Sequence, residues 1–310
     1  GTQSKAMVST AISSVRSESL KSIPVSNPAE AMVGQIAGIR FQQASGDPGS
    51  APYIRIRGNG SLTSSNSPPY VIDGYPIDHA SLFNSILPND IESIDILKDA
   101  ASAAIYGSRA GNGVILVTTK SGKLGKTKFT IDATTGFEQV AKRYEMAGAE
   151  LFVEVIKEAR INLGLPIPDF LNQPERWVKT DWQDVIFRKA PYQNVQFGAS
   201  GGNEKMNFNL SLGYLDNQGV IVNSFNKRYS LRASFNAKLT EKLKVGVNIA
   251  PTFSIDRGQS TSGGNTSTGV DGILADALSS IPILPVWKDN GDYYIIVQDA
   301  EMKTVFNDQL

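Results

Sequence analysis

Few side chains in this sequence are suited to catalysis. Its 310 residues include one histidine, His79, and no cysteine. A Ser-His-Asp arrangement therefore has one candidate base, and sites built from several histidines or from cysteines are excluded. Aspartates and glutamates are present, but none form a recognisable acid and base pair of a glycosidase. We predict that the protein is not an enzyme, and we expect neither catalytic residues nor a cofactor.

One acidic group has two interpretations. Asp73, Asp78 and His79 lie close together beside Gly74 and Pro76. They could form a small metal site, or they could cap the turns that glycine and proline favour. Turn capping is the more common use of such residues, so we predict no metal site.

The elements that position these residues belong to an N-terminal α+β domain. Two β-rich apolar segments, Ile91–Leu97 and Val114–Thr119, predict strands, and residues 53–57 alternate as a strand does. A helix is predicted from Pro28, capped by Ser26 or Asn27 and ended by Gly38. The polar stretches from Gly58 to Pro69 and from Tyr75 to Ser85 are predicted to be loops. YVIDG (Tyr70–Gly74) predicts a short strand closed by a turn at Asp73 and Gly74, and a short helix capped by Asp99 is predicted from Ala100 to Tyr106.

After Gly122 the pattern becomes apolar and polar alternation, which predicts antiparallel strands. The alternating segments are Phe129–Thr134, Val195–Ser200, Met206–Tyr214, Tyr229–Leu239 and Leu243–Ile249. The connections between these segments alternate in length: long, short, long, short and, after about Pro251, long again. A barrel with tight turns at one rim has such an alternation. A helix is predicted from Tyr144 to Gly164. Alternation alone does not distinguish such a barrel from a soluble sandwich.

Charge and hydropathy exclude other classes. Thirty basic residues balance thirty acidic ones, so we predict no nucleic-acid partner. No apolar run is long enough for a membrane-spanning helix, and the first residues lack the pattern of a signal peptide.

Several segments resemble one family. They are IRIRGNGSL (Ile54–Leu62), PPYVIDGYPID (Pro68–Asp78), IESIDILKDAASAAIYGSRAGNGVILVTTKSG (Ile91–Gly122), TDWQDVIF (Thr180–Phe187), SGGNEKMNFNLSLGYLDNQG (Ser200–Gly219) and FNKRYSLRASFNAKLTEKLKVG (Phe225–Gly246). Together they resemble TonB-dependent outer-membrane transporters of the SusC/RagA family. The resemblance implies a plug domain at residues 1–123 and, at 124–310, the first strands and extracellular loops of a transmembrane β-barrel of about 22 strands. We therefore expect roughly 17 further strands after Leu310 and a TonB-contacting box before Gly1.

The resemblance also implies a function and partners. It implies import of oligosaccharides or peptides across the bacterial outer membrane, energised by TonB and assisted by a SusD-like surface lipoprotein. Outer-membrane lipid would surround the barrel, and members of this family commonly assemble as two pairs of transporter and lipoprotein. The alternative is a surface adhesin or a soluble β-rich binding protein, which would purify without detergent.

The resemblance and the loop composition also suggest sites. Arginines of the plug meet barrel glutamates in similar transporters, and Arg55 and Arg57 project from one face of a strand, although a solvated strand face is the alternative. Polar and aromatic residues in the plug loops are candidates for substrate binding: Asn59, Ser61, Asn66, Tyr70, Tyr75, Asp78 and His79. Finally, one aromatic cluster precedes the second strand of the C-terminal part: Trp177, Trp182, Phe187 and Tyr192. We interpret it as the core of a loop. The alternatives are aromatic residues at the membrane interface and a contact surface for a partner.

Replacing both Arg55 and Arg57 by alanine is expected to destabilise the plug by a few kcal/mol, because each lost arginine leaves a shielded glutamate unpaired. Calorimetry of the full-length protein in detergent measures the unfolding temperature of the plug. An unaltered temperature in the double variant would remove this hypothesis.

Overall fold

The structure is a computed structural model that describes residues 12–21, 25–42, 46–50, 52–56, 67–77, 79–98, 106, 111–258, 272–288 and 291–292. The chain divides into two units, one of residues 1–138 with 189–258 and one of residues 139–188 with 259–310. None of the described helices is long and apolar enough to cross a membrane.

The first unit begins with a five-stranded sheet, called the N-terminal sheet here, in the order β1-β6-β7-β4-β5. Its strands are β1 Ile12–Arg16, β4 Tyr70–Ile72, β5 Tyr75–Ile77, β6 Ile91–Leu97 and β7 Val114–Thr119, and a separate pair is formed by β2 Ile39–Gln42 and β3 Tyr53–Ile56. The bounds predicted for β6 and β7 are confirmed, and these two strands pair antiparallel. The alternation predicted over residues 53–57 is confirmed as far as Ile56.

Short helices accompany this sheet, namely α1 Ser17–Lys21, α2 Pro28–Ala31 and α3 Ala80–Asn84, with a 3-10 turn at Pro88–Asp90. Asn27 caps α2, because its side chain accepts a hydrogen bond of 2.9 Å from the backbone nitrogen of Glu30. The predicted extension of this helix to Gly38 is wrong. The helix ends at Ala31, and Gly34 has a positive φ, which the interior of a right-handed helix does not contain. Residues 100–105 of the other predicted helix lie outside the described residues.

The predicted loop from Tyr75 to Ser85 is also wrong, since β5 and α3 lie there. Asp73 and Gly74 adopt φ values of 49° and 89°. Two consecutive positive φ values form the tight turn whose twist suits a β-hairpin, so the chain returns directly into β5. Sequence reasoning placed the turn correctly and missed the short strand that follows it.

The core of this region lies between the sheet and the helices. The largest side chains that are completely buried there include Phe83, Leu20, Met32, Ile91, Ile94, Ile96 and Ile115. Phe83 of α3 stacks on Tyr70 of β4, with ring centroids 4.8 Å apart. The helix is therefore attached to the sheet by one aromatic pair, which adds specific geometry to the apolar area that it buries.

The same unit continues as a second sheet, called the C-terminal sheet, in the order β12-β11-β10-β9-β8, with β13 also paired to β11. The strands are β8 Gly125–Glu138, β9 Ala190–Gly202, β10 Met206–Gln218, β11 Phe225–Lys238, β12 Lys244–Ile249 and β13 Thr252–Arg257. All neighbours pair antiparallel, which confirms the prediction from alternation.

The last strand is longer than predicted. Ala233 pairs with Ile249 and Ser230 pairs with Thr252, so β12 and β13 continue in one register along β11. Pro251 interrupts the strand because it has no N–H, but its carbonyl still accepts a 3.0 Å bond from Leu231. The predicted long connection therefore begins after β13 and not at Pro251. The first two connections are long and short as predicted, but the alternation does not continue, because residues 219–224 join β10 to β11 and residues 239–243 join β11 to β12, which are connections of nearly equal length.

The second unit holds α4 Ala149–Asn162, α5 Trp182–Ile186 and α6 Ile273–Ser279, with 3-10 turns at Asp169–Asn172 and Pro174–Arg176. Its core contains Val153, Phe170, Leu171 and Ile283, with Trp177 packed against it. The indole nitrogens of Trp177 and Trp182 donate to backbone carbonyls at 2.9 Å. The interpretation as a loop core is confirmed for Trp177, whereas Trp182 is shown only to bond the carbonyl of Ile281 and Tyr192 lies on β9.

Replacing Phe83 by alanine is expected to lower the free energy of unfolding of the N-terminal region by about 3–5 kcal/mol, because it removes a completely buried ring. Leu82 is the matched control, since it is adjacent on α3 and about half exposed. Hydrogen exchange of peptides from β4 and β6, in the full-length protein, compares the two variants. Equal losses of protection would contradict the assignment of Phe83 to the core.

Candidate functional site

The two faces of the C-terminal sheet have an unusual distribution of polarity. One face carries large apolar side chains that are exposed, such as Phe129 at 70% and Ile131 at 74%. The opposite face carries polar side chains that are buried: Gln196, Ser211, Asn217, Asn226, Arg228 and Ser234. A soluble sandwich has the reverse distribution, with its apolar face inside. A polar inner face and an apolar outer face are typical of the wall of a membrane barrel. We call the polar side the inner face.

The inner face is buried by the N-terminal region, and its first contact is centred on Asp90. The side-chain nitrogen of Gln196 on β9 donates to the Asp90 carboxylate at 2.5 Å and lies 2.6 Å from the hydroxyl of Ser211 on β10. Burial raises the pKa of Asp90, and the nearby charges of Arg232 and Lys120 oppose that rise. Asp90 is the last residue of the 3-10 turn that directly precedes β6, and this turn fixes its position.

The second contact uses Asp73, Thr119 and Arg232. The Asp73 carboxylate accepts bonds from the backbone nitrogen of Thr119 at 2.8 Å and from its hydroxyl at 2.7 Å. Arg232 of β11 lies 3.7 Å from the same carboxylate and donates to the Thr119 hydroxyl at 3.2 Å. Asp73 therefore joins two strands of the N-terminal sheet to the inner face. The carboxylate is held by two hydrogen bonds from Thr119 and by the ion pair with Arg232, and these contacts reach other strands instead of capping its own turn.

The third contact is made by Arg228, which is buried on β11. Its guanidinium donates to the carbonyl of Asn84 at 3.0 Å, at the end of α3, and to the carbonyl of Ser26. Glu30 lies behind Ser26 and accepts from its backbone nitrogen at 3.3 Å. Burial raises the pKa of Glu30, while the bonds from Ser26 and Asn27 and the charge of Arg228 lower it. The Arg228 guanidinium thus binds two backbone carbonyls at once, one just before α2 and one at the end of α3.

A steric contact accompanies these polar ones. Gly213 of β10 faces Leu87, which is completely buried. A Cβ at position 213 would overlap the Cδ1 of Leu87 and would lie 2.6 Å from the hydroxyl of Ser230. Leu87 therefore occupies a gap in the wall that exists only because residue 213 is glycine. We call this gap the Gly213 gap.

Two cavities lie between the N-terminal region and the inner face. One, of about 690 Å³, has Asp73, Tyr75, Asp90, Arg232 and Asn236 among its lining residues; we call it the short-turn cavity. The other, of about 700 Å³, lies nearer the long connections; we call it the long-loop cavity. The wall of each cavity is a part of the inner face.

The structure separates the residues predicted to bind substrate. Tyr75 is 73% exposed and lines the short-turn cavity, and His79 is exposed just before α3. Tyr70 is only 6% exposed, so its ring belongs to the core and is not presented by a loop. The other predicted binding residues lie outside the described residues: Asn59, Ser61, Asn66 and Asp78.

Sequence reasoning missed the arginines that contact the N-terminal region. Arg55 lies on β3 and is partly exposed, and Arg57 lies outside the described residues, so their pairing with glutamates stays a prediction. The observed contacts use Arg228 and Arg232, which belong to the C-terminal sheet. The sequence does contain an indication of this role. Both arginines lie on the polar side of an alternating strand whose other polar positions are asparagine and serine.

Comparisons with known proteins agree with this architecture. Residues 4–114 match the family model of the TonB-dependent Receptor Plug Domain. TonB-dependent receptor P26 of Formosa agariphila is 35% identical over 94% of this chain and 29% of that protein. TonB-dependent receptor SusC of Bacteroides thetaiotaomicron is 31% identical over 91% of this chain and 27% of that protein. The chain thus spans under a third of these relatives.

A solved structure of the RagAB peptide importer in its open-open state matches with a TM-score of 0.81 and 27% identity. The match covers 95% of this chain and 35% of that one. It includes both sheets and the second unit.

The stability of the contact at Asp90 is expected to decrease as the pH rises. A carboxyl group whose pKa is raised by folding binds more protons in the folded state, so stability is full below the unfolded value of 3.8 and declines as the pH rises through the folded value. Asp90→Asn should reduce this slope and increase stability at pH 8. Denaturant unfolding of the full-length protein between pH 4 and 8 measures it.

Glu92→Gln is the matched control, since Glu92 lies two residues away and forms an exposed ion pair of 3.1 Å with Lys123. This variant should keep the slope of the unmodified protein. The same slope in Asp90→Asn would show that the buried carboxyl does not contribute to it.

Proposed function

Because this chain belongs to the SusC/RagA-like TonB-dependent receptors, we propose that the protein imports a nutrient across the bacterial outer membrane. The family consists of outer-membrane β-barrel proteins that act as transporters and not as enzymes. Residues 1–123 form the plug in this proposal, and residues 124–310 form part of the barrel wall and its loops. The observation that supports it most directly is the buried polar inner face, to which the plug is attached by hydrogen bonds and one ion pair.

These contacts are suited to a plug that must be displaced. A hydrogen bond to a charged group contributes about 1.5–3 kcal/mol net, because water replaces the lost partner when the bond opens. Asp90, Asp73 and Arg228 each form such contacts with the opposite side. A pulling force can therefore break them one after another without exposing a large apolar surface. We propose that TonB supplies this force through a box preceding Gly1.

The substrate is an oligosaccharide or a peptide in this proposal, and it binds on the side of the long connections. The RagAB importer, to which the chain is similar, is a peptide importer, and SusC is a related receptor. A SusD-like lipoprotein is proposed to contact the segments 144–192 and 254–287. Two transporter and lipoprotein pairs would assemble together, with outer-membrane lipid around the apolar outer face.

The first test is to attach the plug covalently to the wall. A Cβ at Gly49, whose φ is +80°, would lie 3.2 Å from the Cβ of Asn226. A disulfide needs about 3.5–4.5 Å, so a small shift of this loop forms the bond, and the chain has no cysteine of its own. We expect the variant Gly49→Cys/Asn226→Cys to abolish uptake when oxidised and to recover it on reduction. Depletion of oligosaccharides and peptides from the medium is measured by mass spectrometry, in a deletion strain that expresses the full-length variants.

The control is Asn207→Cys/Asn236→Cys, because these residues are directly opposite on β10 and β11 of the wall. Its disulfide joins two wall strands and leaves the plug unattached, so uptake should continue. Uptake that continues with the plug attached to the wall would contradict transport by plug displacement. A deletion strain that depletes the medium as fast as the parent would contradict the import function itself.

A further inference from the structure

The outer face of the C-terminal sheet changes from apolar to polar toward one rim. This is the rim at which residues 139–189 leave the sheet, and we call it the long-connection rim. The outward positions of β10 there carry Tyr214, Asp216 and Gln218, and Lys227 of β11 lies directly opposite Asp216. Charged side chains on the lipid side of a barrel are costly at the middle of the bilayer and tolerated near its interfaces. The change therefore marks the level of the lipid head groups.

The Asp216 carboxylate is engaged by three neighbours on this face. The Nε2 of Gln218 donates to it at 2.5 Å, and the Tyr214 hydroxyl donates to it at 3.4 Å. The ammonium of Lys227 lies 3.3 Å from it. An ammonium has three N–H donors, so Lys227 keeps donors for a second anion, and its side chain is 38% exposed. The contact with Asp216 holds this ammonium in place at the surface.

Arg257 of β13 places a second cation beside Lys227. It lies directly opposite Phe225 of β11, two positions from Lys227, and its guanidinium lies 5.9 Å from the centroid of the Phe225 ring. Lys227 and Arg257 are therefore diagonal neighbours on one face, with a separation of about 7–8 Å between their positions on the two strands. A phosphate group that lies between two cations at this spacing can contact both, and hydrogen bonds between such ions are stronger than those between neutral groups.

The charge of the outer face favours an anion at this place. Among the described strand residues that point outward, Asp216 is the only carboxylate. Lys189 adds a third cation near this rim, since its ammonium lies 4.6 Å from the centroid of the outward Phe137 ring. Three cations thus accompany one carboxylate, which Lys227 already contacts. An uncharged head group would leave this excess of positive charge uncompensated.

An apolar groove continues from these charges toward the middle of the outer face. It is open, has a volume of about 610 Å³ and is lined by Leu212, Leu231 and Pro251 among others. The rings of Tyr214 and Tyr229, whose centroids are 5.2 Å apart, line the end nearest the charges. Tyrosine has an apolar ring and a polar hydroxyl, so it suits the boundary between head groups and acyl chains. An anionic group next to an apolar chain is the composition of a phosphorylated lipid.

From these observations we propose that Lys227, Arg257 and this groove form a binding site for one phosphorylated lipid of the leaflet at the long-connection rim. The two cations bind its phosphate, and the groove receives an acyl chain. A lipid is the occupant because the outer face is the surface that the membrane contacts. The proposal rests on the proposed function only in placing this sheet in an outer-membrane barrel, and it concerns a lipid of the surrounding leaflet and not the imported substrate.

The test uses the full-length protein, purified in detergent and mixed with phosphatidic acid or with phosphatidylcholine that has the same acyl chains. Native mass spectrometry measures how much of each lipid stays bound as its concentration increases. The unmodified protein is expected to bind phosphatidic acid more tightly than phosphatidylcholine. Phosphatidic acid with short acyl chains should bind more weakly, and inorganic phosphate should not displace the long-chain lipid, because neither fills the groove.

Two double variants of equal charge separate this site from general attraction to anionic lipid. Lys227→Gln/Arg257→Gln is expected to weaken the binding of phosphatidic acid by about 25-fold, since each basic residue near an anionic lipid contributes a factor of about five. Lys205→Gln/Lys242→Gln removes the same charge from the turns at the opposite rim, so it should leave the tightest site unchanged.

A third variant separates loss of charge from loss of folding. Lys227→Arg/Arg257→Lys keeps both cations and exchanges their side chains, so it should keep the preference for phosphatidic acid. Loss of that preference in this variant, as complete as in Lys227→Gln/Arg257→Gln, would overturn the assignment of the phosphate to the two charges.

The proposal as a whole is overturned if the unmodified protein binds the two lipids equally, or if the two glutamine variants behave alike. Displacement of the long-chain lipid by inorganic phosphate would overturn the role of the groove. Failure of the import function is a different result, because it is measured by uptake in cells with the plug attached to the wall. A protein that purifies without detergent would contradict the barrel itself, whereas one that needs detergent and shows no lipid preference would reject the lipid site alone.

Discussion

Burying the polar inner face of the C-terminal sheet without leaving its groups unsatisfied is the constraint on which the other features depend. The outer face of the same strands is apolar, so the polar face must find its partners on the inside. The N-terminal region supplies them with carboxylates, backbone carbonyls and one hydroxyl, at Asp73, Asp90 and Thr119 and at the ends of its helices. The segment before α2, the end of α3, the 3-10 turn before β6 and the turn after β4 each bring one such group to the wall.

A polar interface also has a dynamic consequence. Apolar surfaces that separate in water lose roughly 25 cal/mol for each Å² exposed, and nothing compensates that cost. Carboxylates, amides and guanidinium groups exchange one partner for water instead, so their separation is nearly balanced. The apolar core of the N-terminal region, around Phe83 and Ile94, is formed by residues of that region alone. The region can therefore stay folded while its contacts with the wall open.

The sequence predicts local elements of this structure better than it predicts their partners. Alternation identifies the wall strands, and apolar composition identifies β6 and β7. The continuation of the last strand beyond Pro251 was missed, because proline is usually a strand terminator and only the register along β11 shows that pairing resumes. Arg228 and Arg232 were overlooked because their partners lie more than 100 residues away in sequence. Tyr70 lies on a strand as the sequence predicts, but its burial could not be predicted, because its stacking on Phe83 is a tertiary contact.

The Gly213 gap restricts the position at which the plug can dock, which the hydrogen bonds alone do not. The inner face presents many similar asparagine and serine side chains, so a plug that returned shifted by two residues along a strand would still find hydrogen-bond partners. Leu87 can enter the wall only where a side chain is missing, and at Gly213 even a methyl group would exclude it. Shape therefore selects one docking register among several that are chemically alike. In the proposed cycle of displacement and return, this single steric fit would make re-docking of the plug unique.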